Sequence, residues 1–468
     1  MNRESKLLRN TLIYAFGNIS SKMIGFLLLP LYTTYLTVSE FGIWDIVTTT
    51  VLFLMPIIIF QLNDGIYRHI LEENHHGKIQ IVISTAMIVV LRNILVFTLG
   101  YLLLFLFIDF KYEWLVIFQI CIMSVYEVFL QIIRGLKKNQ TYAFVGIINS
   151  IAILVLNFIF LKMFHLGLSS LFISNILAML ISIIYIQYKI NIIQYIDINF
   201  YDTKLRKELV NYSVPLIPNV ISWWVMNLSD RYFIGLYLGT EANGLYAIAN
   251  KLPTIMFLAN SIFYLAWQES AIMNFNSNDR DKYYSRMFNR YMTFLISFSI
   301  VLLSFTKIAF TLLIDIKYDA ALQYVPLLYL GTIFSAFSSF YGTGYHSAKD
   351  TRGAFTTSVY AAITNGAINL ILIPIIGLQG ASISTMLAFL VMWLLRIKQT
   401  KKYFNITIEI KSLCLLLSMF VIVLLLFTSN NVYSKYLSIT IALITFLVSN
   451  KEILVNVVSK VKKKKSIV

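Results

Sequence analysis

Four basic residues lie inside apolar stretches of this sequence, where a charged side chain is costly. They are Lys22, Arg92, Arg231 and Lys251. Ionisable residues at membrane depth are rare because of that cost, and they commonly mark a functional site. Fixed cations that face one cavity suit an anionic ligand, above all a phosphate, which arginine can bind through two parallel hydrogen bonds. The four residues are therefore candidate substrate-binding residues.

A structural role would explain some of these cations better than others. Lys22 and Arg92 lie near the middle of their apolar runs, where a side chain reaches the membrane surface with difficulty. A functional role is therefore favoured for these two. Arg231 follows Asp230 and could pair with a neighbouring helix. For Arg231 and Lys251 the sequence leaves both explanations open.

Two acidic residues at membrane depth, Asp230 and Glu127, are candidates for ion coupling. Glu127 could exchange a proton or pair with Arg92 on the preceding span. Pairing is favoured, because antiparallel neighbours place the two residues at similar depth. Asparagines also recur in the apolar runs; some would line a wet cavity, and most would join helices by hydrogen bonds. They are Asn18, Asn149, Asn157, Asn219, Asn227, Asn260, Asn365 and Asn369.

The sequence gives little indication of enzyme chemistry. Glu72, Glu73, His75 and His76 form a cluster, but a solvated loop explains them better than a metal site does. There is no Gly-Lys-Ser/Thr phosphate-binding motif, so direct use of ATP is not indicated. The predicted outer loops are too short to carry a catalytic domain. We therefore expect no cofactor, no metal and no enzymatic activity.

The composition identifies the elements that must position these residues as membrane-spanning helices. Hydrophobic residues make up 58% of the 468 residues and charged residues 13%, whereas a soluble domain carries about 25% charged residues. Runs of this length must be helical, because the backbone has to satisfy its own hydrogen bonds in lipid. The fourteen predicted spans are 10–36, 42–62, 79–108, 114–134, 142–164, 168–188, 211–237, 243–273, 288–314, 320–344, 354–374, 378–396, 410–428 and 436–457.

The net charge of +16 reports the orientation of these spans. Of the 38 Lys and Arg residues, 28 lie in the N-terminal segment, the even-numbered loops and the C-terminal tail or in the span ends next to them. Only Lys111, Lys162, Lys317 and Lys435 lie in or next to odd-numbered loops. The positive-inside rule therefore predicts that both termini are cytoplasmic. The positive charge is a topology signal, so nucleic acid is not an expected partner, whereas membrane lipids are.

Two internal repeats indicate that the chain contains two copies of one unit. Residues 35–47 match residues 237–249 at four of thirteen positions, and both segments are predicted to be outer loops with a glycine turn. Residues 167–180 match residues 377–390 at seven of fourteen positions. Because six spans separate the copies, both cross the membrane in the same direction, as in transporters with parallel repeats.

The repeats predict an all-α polytopic membrane protein with two parallel six-helix bundles around a central cavity. The predicted domains are an N-terminal bundle at 1–190, a cytoplasmic linker at 191–210 and a C-terminal bundle at 211–400. Two further helices and a basic tail follow at 401–468. A cleft between such bundles could open alternately to either side of the membrane.

Several segments have the motifs of a known family. The most specific is 215–253, PLIPNVISWWVMNLSDRYFIGLYLGTEANGLYAIANKLP, followed by AWQE at 266–269. Residues 10–47, with LPLY and EFG, and RGLKK at 134–138 are further examples. These segments resemble the polysaccharide transporter family, which contains the flippases for O-antigen and capsule precursors. The likeness covers most of residues 10–400 and weakens in the last two spans.

This resemblance implies a cargo and a mechanism. The superfamily also contains multidrug antiporters and lipid II flippases, which work by alternating access. The implied cargo is an oligosaccharide linked to undecaprenyl pyrophosphate, moved to the outer leaflet of the bacterial plasma membrane with a proton or sodium gradient. A polysaccharide polymerase and a chain-length regulator are implied partners. Lys22, Arg231 and Lys251 match cationic cavity positions of the family, and Asp230 belongs to its signature.

Two other functions compete with the flippase. An antiporter for organic cations would favour acidic residues in the cavity, whereas four deep cations are present here, and like charges repel strongly at low dielectric. A membrane-embedded polysaccharide polymerase or transferase is disfavoured by the short outer loops and by the bundle repeat.

Overall fold

A computed structural model describes residues 24–73, 75–105, 110–348, 350–429, 431–452 and 455. All regular secondary structure within these residues is helical. The chain divides into two compact units, Met1–Trp224 and Val225–Val468, called here the first and the second unit. This boundary falls inside a helix, C-terminal to the predicted linker at 191–210.

The first unit is built from long apolar helices joined by short turns. A π-helical segment, Phe158–Met163, prolongs its sixth helix, and the ninth helix crosses into the second unit. The α-helices are α1 (Leu29–Tyr35), α2 (Val38–Ile58), α3 (Leu62–Glu72), α4 (His76–Phe105), α5 (Glu113–Gly135), α6 (Asn139–Asn157), α7 (Ser169–Ile190), α8 (Thr203–Ser213) and α9 (Ile217–Leu228).

The second unit repeats this design and adds two C-terminal helices. A 3-10 segment, Ile316–Tyr324, leads into its fourth α-helix. The α-helices are α10 (Asp230–Ala249), α11 (Pro253–Met273), α12 (Arg280–Leu313), α13 (Val325–Ser347), α14 (Thr351–Ile376), α15 (Leu378–Thr400), α16 (Ile410–Thr428) and α17 (Val432–Ser449).

Eleven helices among the described residues are long and apolar enough to cross a membrane. They correspond to eleven of the fourteen predicted spans, so the prediction of a polytopic helical protein is confirmed while the count of continuous spans is lower. The first predicted span lies partly outside the described residues, and its described part is the shorter apolar helix Ile24–Tyr35.

Proline explains why the seventh and eighth predicted spans are not continuous. A 3-10 turn at Val214–Leu216 contains Pro215 and separates α8 from α9, and Pro253 lies in the first turn of α11. Proline lacks the N–H that a continuous helix needs and favours helix starts instead. The eighth predicted span is therefore divided between α10 and α11, and the seventh, which is also broken at Ser229, is divided among α8, α9 and α10.

The first repeated pair forms helix and only a little turn, contrary to the sequence-based expectation. Gly42 lies inside α2 and Gly244 inside α10, so neither is a turn residue. In the first copy the chain turns at Leu36 and Thr37, and Thr37 starts α2 through a capping box with Glu40. In the second copy it turns at Gly239, whose φ of 85° interrupts α10.

The second repeated pair does contain a glycine turn in both copies. Gly167 precedes α7 with φ 55°, and its equivalent Gly377 precedes α15 with φ 63° and ψ −141°. Residues with a Cβ rarely adopt positive φ, whereas glycine adopts it readily. The repeat therefore preserves a glycine with positive φ just before α7 and α15.

The segment predicted as a linker packs against the first unit. Ser84 of α4 donates a hydrogen bond to the carbonyl of Tyr195 (2.5 Å) and accepts one from the backbone N–H of Asp197 (3.1 Å). Thr85 accepts a further hydrogen bond from the N–H of Asp202 (3.1 Å). Asp202 in turn caps α8 through the N–H groups of Lys204 and Leu205.

Stacked aromatic rings form much of the core of the second unit. The Trp267 ring stacks on Phe340 with 4.2 Å between centroids, and its indole N–H donates to Thr343 Oγ1 (3.0 Å). Phe263 stacks on Tyr291 at 4.0 Å. Trp267 is only 2% exposed, so its ring serves the core of this unit.

A polar tie joins the turn before α14 to the end of α15. The Asp350 carboxylate accepts hydrogen bonds from the Tyr403 hydroxyl and from Lys402 Nζ (2.9 Å). These hydrogen bonds lower the pKa of Asp350 to about 2, and the bond from Tyr403 has the largest effect. Asp350 also accepts a hydrogen bond from the N–H of Arg352 in the first turn of α14 (3.2 Å).

Candidate functional site

Asp230 lies where α9 gives way to α10. Leu228 ends α9, Ser229 forms a turn, and Asp230 begins α10. Its side chain is 0% exposed. Burying an ionised carboxylate costs several kcal/mol unless donors or cations compensate for the lost water. The surroundings of Asp230 therefore decide what the residue can do.

Three side chains donate hydrogen bonds to the Asp230 carboxylate. Tyr246 Oη (2.8 Å) and Thr385 Oγ1 (2.5 Å) donate to Oδ2, and Asn369 Nδ2 (2.6 Å) donates to Oδ1. Tyr246 belongs to α10 beyond the interruption at Gly239, Asn369 to α14 and Thr385 to α15. The carboxylate thus links three helices of the second unit.

A second layer of polar groups fixes the amides of this cluster. Asn365 Oδ1 accepts hydrogen bonds from Asn369 Nδ2 (3.2 Å) and Ser229 Oγ (3.0 Å). The Asn365 amide donates to Ser384 Oγ (3.2 Å), and this hydroxyl donates to the carbonyl of Asn365 (2.8 Å). Asn365, Asn369 and Ser384 are each 0% exposed. We call Asp230, Tyr246, Asn365, Asn369, Ser384 and Thr385 the Asp230 cluster.

One acceptor of the Asp230 cluster lacks a hydrogen-bond donor. Asn369 Oδ1 is buried, and no donor among the described residues lies within hydrogen-bond distance of it. A buried oxygen left in this way costs about 1–3 kcal/mol. Carboxylate, amide and hydroxyl oxygens are the ligand types that hard cations prefer. The cluster is therefore a candidate site for a small monovalent cation or a proton.

Arg231 is a packed residue of the same region. Its guanidinium donates to the carbonyl of Asn227 (2.8 Å) and lies 5.3 Å from the centroid of the Tyr246 ring. It is 6% exposed. Arg231 therefore places a positive charge beside the ring whose hydroxyl binds Asp230. Lys251, half-buried, lies in the turn between α10 and α11.

The other two candidate cations are not part of this cluster. Arg92 is exposed on α4, and its guanidinium donates to Asn93 Oδ1 (3.2 Å). The predicted ion pair between Arg92 and Glu127 is not found among the described residues; Arg92 points to the surface of α4, whereas Glu127 lines an internal cavity. Lys22 lies outside the described residues.

Glu127 of α5 lines this cavity of about 210 Å³ inside the first unit. Asp230 and Glu127, the two acids predicted to couple an ion, thus lie in different units. Within the described residues, no cluster of three or more His, Cys, Asp and Glu side chains could hold a metal ion.

The internal repeats contain two of the partners of Asp230, although the sequence-based interpretation took the repeats as turns. Tyr246 lies in the first repeated pair and Thr385 in the second. Asn365 and Asn369 were noted as membrane asparagines without an assigned partner. Repeated segments that return to one site would have been the indication that these residues meet.

Comparison with known proteins gives a matching family model and one similar curated protein. The family model described as polysaccharide biosynthesis protein matches residues 7–268. An uncharacterized membrane protein of Methanocaldococcus jannaschii, MJ1068, is 23% identical over 291 residues, which are 58% of this chain and 56% of that protein. The chain thus matches little more than half the length of that curated relative.

Solved structures with the same fold are transporters. An inward-closed structure of the lipid II flippase MurJ aligns with a TM-score of 0.69 at 14% identity, over 96% of this chain and 100% of that chain. An inward-facing MATE family multidrug resistance transporter of the MOP superfamily also aligns with a TM-score of 0.69, at 13% identity, over 82% of this chain and 95% of that chain. At such identities the likeness shows the fold alone.

Proposed function

Because the chain belongs to the polysaccharide biosynthesis protein family, we propose that it is a flippase for oligosaccharides linked to undecaprenyl pyrophosphate. It moves these precursors from the cytoplasmic to the outer leaflet of a bacterial plasma membrane by alternating access. The family match confirms the resemblance inferred from the sequence. The fold shared with solved transporters supports transport over enzymatic activity. The cargo is supported by the resemblance and by the fold shared with a lipid II flippase.

The Asp230 cluster is the observation that supports ion-coupled transport. A buried carboxylate that joins three helices changes its interactions when a cation or a proton binds and when it leaves. Such a change can shift the balance between two arrangements of the helices, since a ligand favours the state that it binds better. When bound, the cation would supply the positive charge that the buried carboxylate requires. Asp230 would bind it, and Tyr246, Asn369 and Thr385 would orient the carboxylate.

The cationic residues supply the proposed contacts with the cargo. Lys22, Arg92, Arg231 and Lys251 would bind the pyrophosphate, each through charge-assisted hydrogen bonds. Both termini are placed in the cytoplasm by the distribution of Lys and Arg along the chain. An organic cation antiporter of the same fold would need acidic residues where these cations lie.

The test is the leaflet location of the lipid-linked oligosaccharide in a strain that lacks the gene. We expect the precursor to accumulate on the cytoplasmic side and the native gene to restore its transfer. Normal transfer with unpolymerised product outside would contradict the flippase and favour a polymerase. Normal transfer together with sensitivity to organic cations would favour the antiporter.

A further inference from the structure

The cavity of the first unit contains a set of groups that the proposed transport mechanism does not use. Its volume of about 210 Å³ gives room for about seven water molecules at their volume in the liquid. Helices α2, α5, α6 and α7 supply its walls. We call it the Glu127 cavity, and its polar and aromatic lining is Trp44, Gln119, Tyr126, Glu127, Asn149 and Asn175.

The Glu127 cavity has a surplus of hydrogen-bond acceptors. Gln119 is 3% exposed, and its Oε1 has no donor among the described residues. The buried hydroxyl of Thr48, also in the lining, has no hydrogen-bond partner among them either and can both accept and donate. Glu127 forms no ion pair with any of the described residues. Since each unsatisfied buried oxygen costs about 1–3 kcal/mol, a ligand that donates several hydrogen bonds would be stabilised here.

A fixed aromatic ring forms another part of the cavity wall. Phe172 contacts the Trp44 ring edge to face, with 5.0 Å between centroids and 80° between planes. Tyr112 stacks on the other ring of this pair, Phe172, at 5.7 Å. Such contacts hold an indole in one orientation. The cavity therefore combines a rigid flat apolar surface with buried acceptors.

The repeats explain how this cavity differs from the Asp230 cluster. Trp44 is the repeat equivalent of Tyr246, and Asn175 is the equivalent of Thr385. Tyr246 and Thr385 both donate hydrogen bonds to the Asp230 carboxylate. In the alignment that pairs Trp44 with Tyr246, the first-unit residue equivalent to Asp230 is the buried Leu28. In the first unit the acid comes instead from α5, as Glu127. Equivalent positions thus surround a carboxylate in one unit and line a larger cavity in the other.

Size and lining distinguish the possible ligands. A dehydrated cation needs about six oxygens within about 2.6 Å of one point, whereas much of this wall is apolar, including Val51, Leu52 and Met179. A pyranose ring presents C–H groups that pack on an aromatic face, and hydroxyl groups that donate to carboxylate and amide oxygens. It matches both the apolar wall and the surplus of acceptors.

We propose that the Glu127 cavity binds one pyranose ring of the transported oligosaccharide. Trp44 stacks on the ring, and Glu127 and Gln119 accept hydrogen bonds from its hydroxyl groups. This inference rests on the proposed flippase function, because it assigns a sugar subsite to the cargo. It makes the first unit a determinant of sugar selectivity, while the Asp230 cluster of the second unit binds the coupling ion.

Saturation-transfer difference NMR on the purified full chain in lipid nanodiscs tests this subsite. The probes are methyl glucoside, methyl galactoside, N-acetylglucosamine and rhamnose at millimolar concentration. We expect ring protons of at least one pyranose to receive saturation. Glu127→Gln should weaken its binding about tenfold, because a charge-assisted hydrogen bond is lost. Trp44→Leu should abolish binding, and Trp44→Phe, which keeps an aromatic face, should retain most of it.

The controls separate this inference from the proposed function. Glu113→Gln, on the same helix but outside the cavity lining, should bind the pyranoses as the native chain does. The subsite would be overturned, even with flipping intact, if none of the four probes gave a signal. It would also be overturned if Glu127→Gln and Trp44→Leu bound the pyranoses as well as the native chain does. Sodium binding that depends on Glu127 in place of pyranose binding would also overturn it. Pyranose binding without flipping would contradict the proposed function alone.

Discussion

At the scale of single residues, Asp230 is the shared hydrogen-bond acceptor of the polar cluster in the second unit. Its carboxylate oxygens are bound by a phenol, a hydroxyl and an amide, while Asn369 Oδ1 keeps an unused lone pair among the described residues. The sequence identified Asp230 as a candidate because an acid at membrane depth is costly. It did not identify the donors, since hydrogen bonds between helices far apart in the chain depend on tertiary packing.

We expect Asp230→Asn to remove the response of the protein to sodium. A ligand that binds the native state raises stability by about 2.7 kcal/mol at a hundred times its Kd. The neutral amide lacks the charge that attracts the cation, so the thermal midpoint should no longer rise when sodium chloride replaces choline chloride. Asp319→Asn, which neutralises an exposed acid of the same unit, is the matched control. An undiminished sodium response in Asp230→Asn would contradict cation binding at this residue.

Asn369→Asp should have the opposite effect. It places a second carboxylate next to Asp230, whose Oδ1 lies 2.6 Å from the Asn369 amide nitrogen. Like charges at that distance repel strongly in a buried site. The variant should unfold at a lower temperature without sodium and gain more from sodium than the native chain does. If sodium raises the thermal midpoint of the variant no more than that of the native chain, the added carboxylate is neutralised by a proton and not by sodium.

At the scale of helices, the breaks matter as much as the spans. Eleven helices could be placed from hydropathy because lipid demands long apolar segments. The interruption at Gly239 falls in the predicted loop between the seventh and eighth spans, whereas the one at Ser229 was not predicted, because a one-residue turn leaves little trace in composition. The break at Gly239 matters for the site, since it lies between Asp230 and Tyr246, which are sixteen residues apart and form a hydrogen bond.

The glycines before α7 and α15 give a test of the second repeat. Gly377 has φ 63° and ψ −141°, a region almost restricted to glycine, and Gly167 has a positive φ of 55°. Gly167→Ala should lower stability by about 1–2 kcal/mol, and Gly377→Ala should lower it more. Gly366→Ala, inside α14 with open space around its Cβ position, should be neutral or stabilising by about 0.5–1 kcal/mol. Thermal unfolding in detergent measures all three.

At the scale of the whole molecule, the charge distribution and the repeats carried most of the sequence-based prediction. The helical class, the membrane location and the family could be obtained from the sequence. The placement of the bundles around a central cavity stays a prediction, as do the roles of the four deep cations. Exposure of Arg92 on α4 could not have been foreseen, because hydropathy does not report which face of a helix turns inward.

The cationic residues can be tested by the amount of polysaccharide at the cell surface. Lys22→Ala and Arg92→Ala should each lower it in a complemented deletion strain while the level of protein in the membrane stays unchanged. The reason is the loss of a charge-assisted contact with the pyrophosphate, worth about tenfold or more in affinity. Arg290→Ala, which removes an exposed ion pair with Glu452, should have little effect. Full complementation by both single variants and by the double variant would refute a cationic substrate site.

The hydrogen bonds that hold the segment after α7 have a consequence for synthesis. Ser84 and Thr85 form hydrogen bonds with backbone groups of Tyr195, Asp197 and Asp202, so the segment after α7 is held by residues of the first unit itself. Domains generally fold as they leave the ribosome, N-terminal part first. The first half of this chain can therefore form these hydrogen bonds while the second half is still being translated.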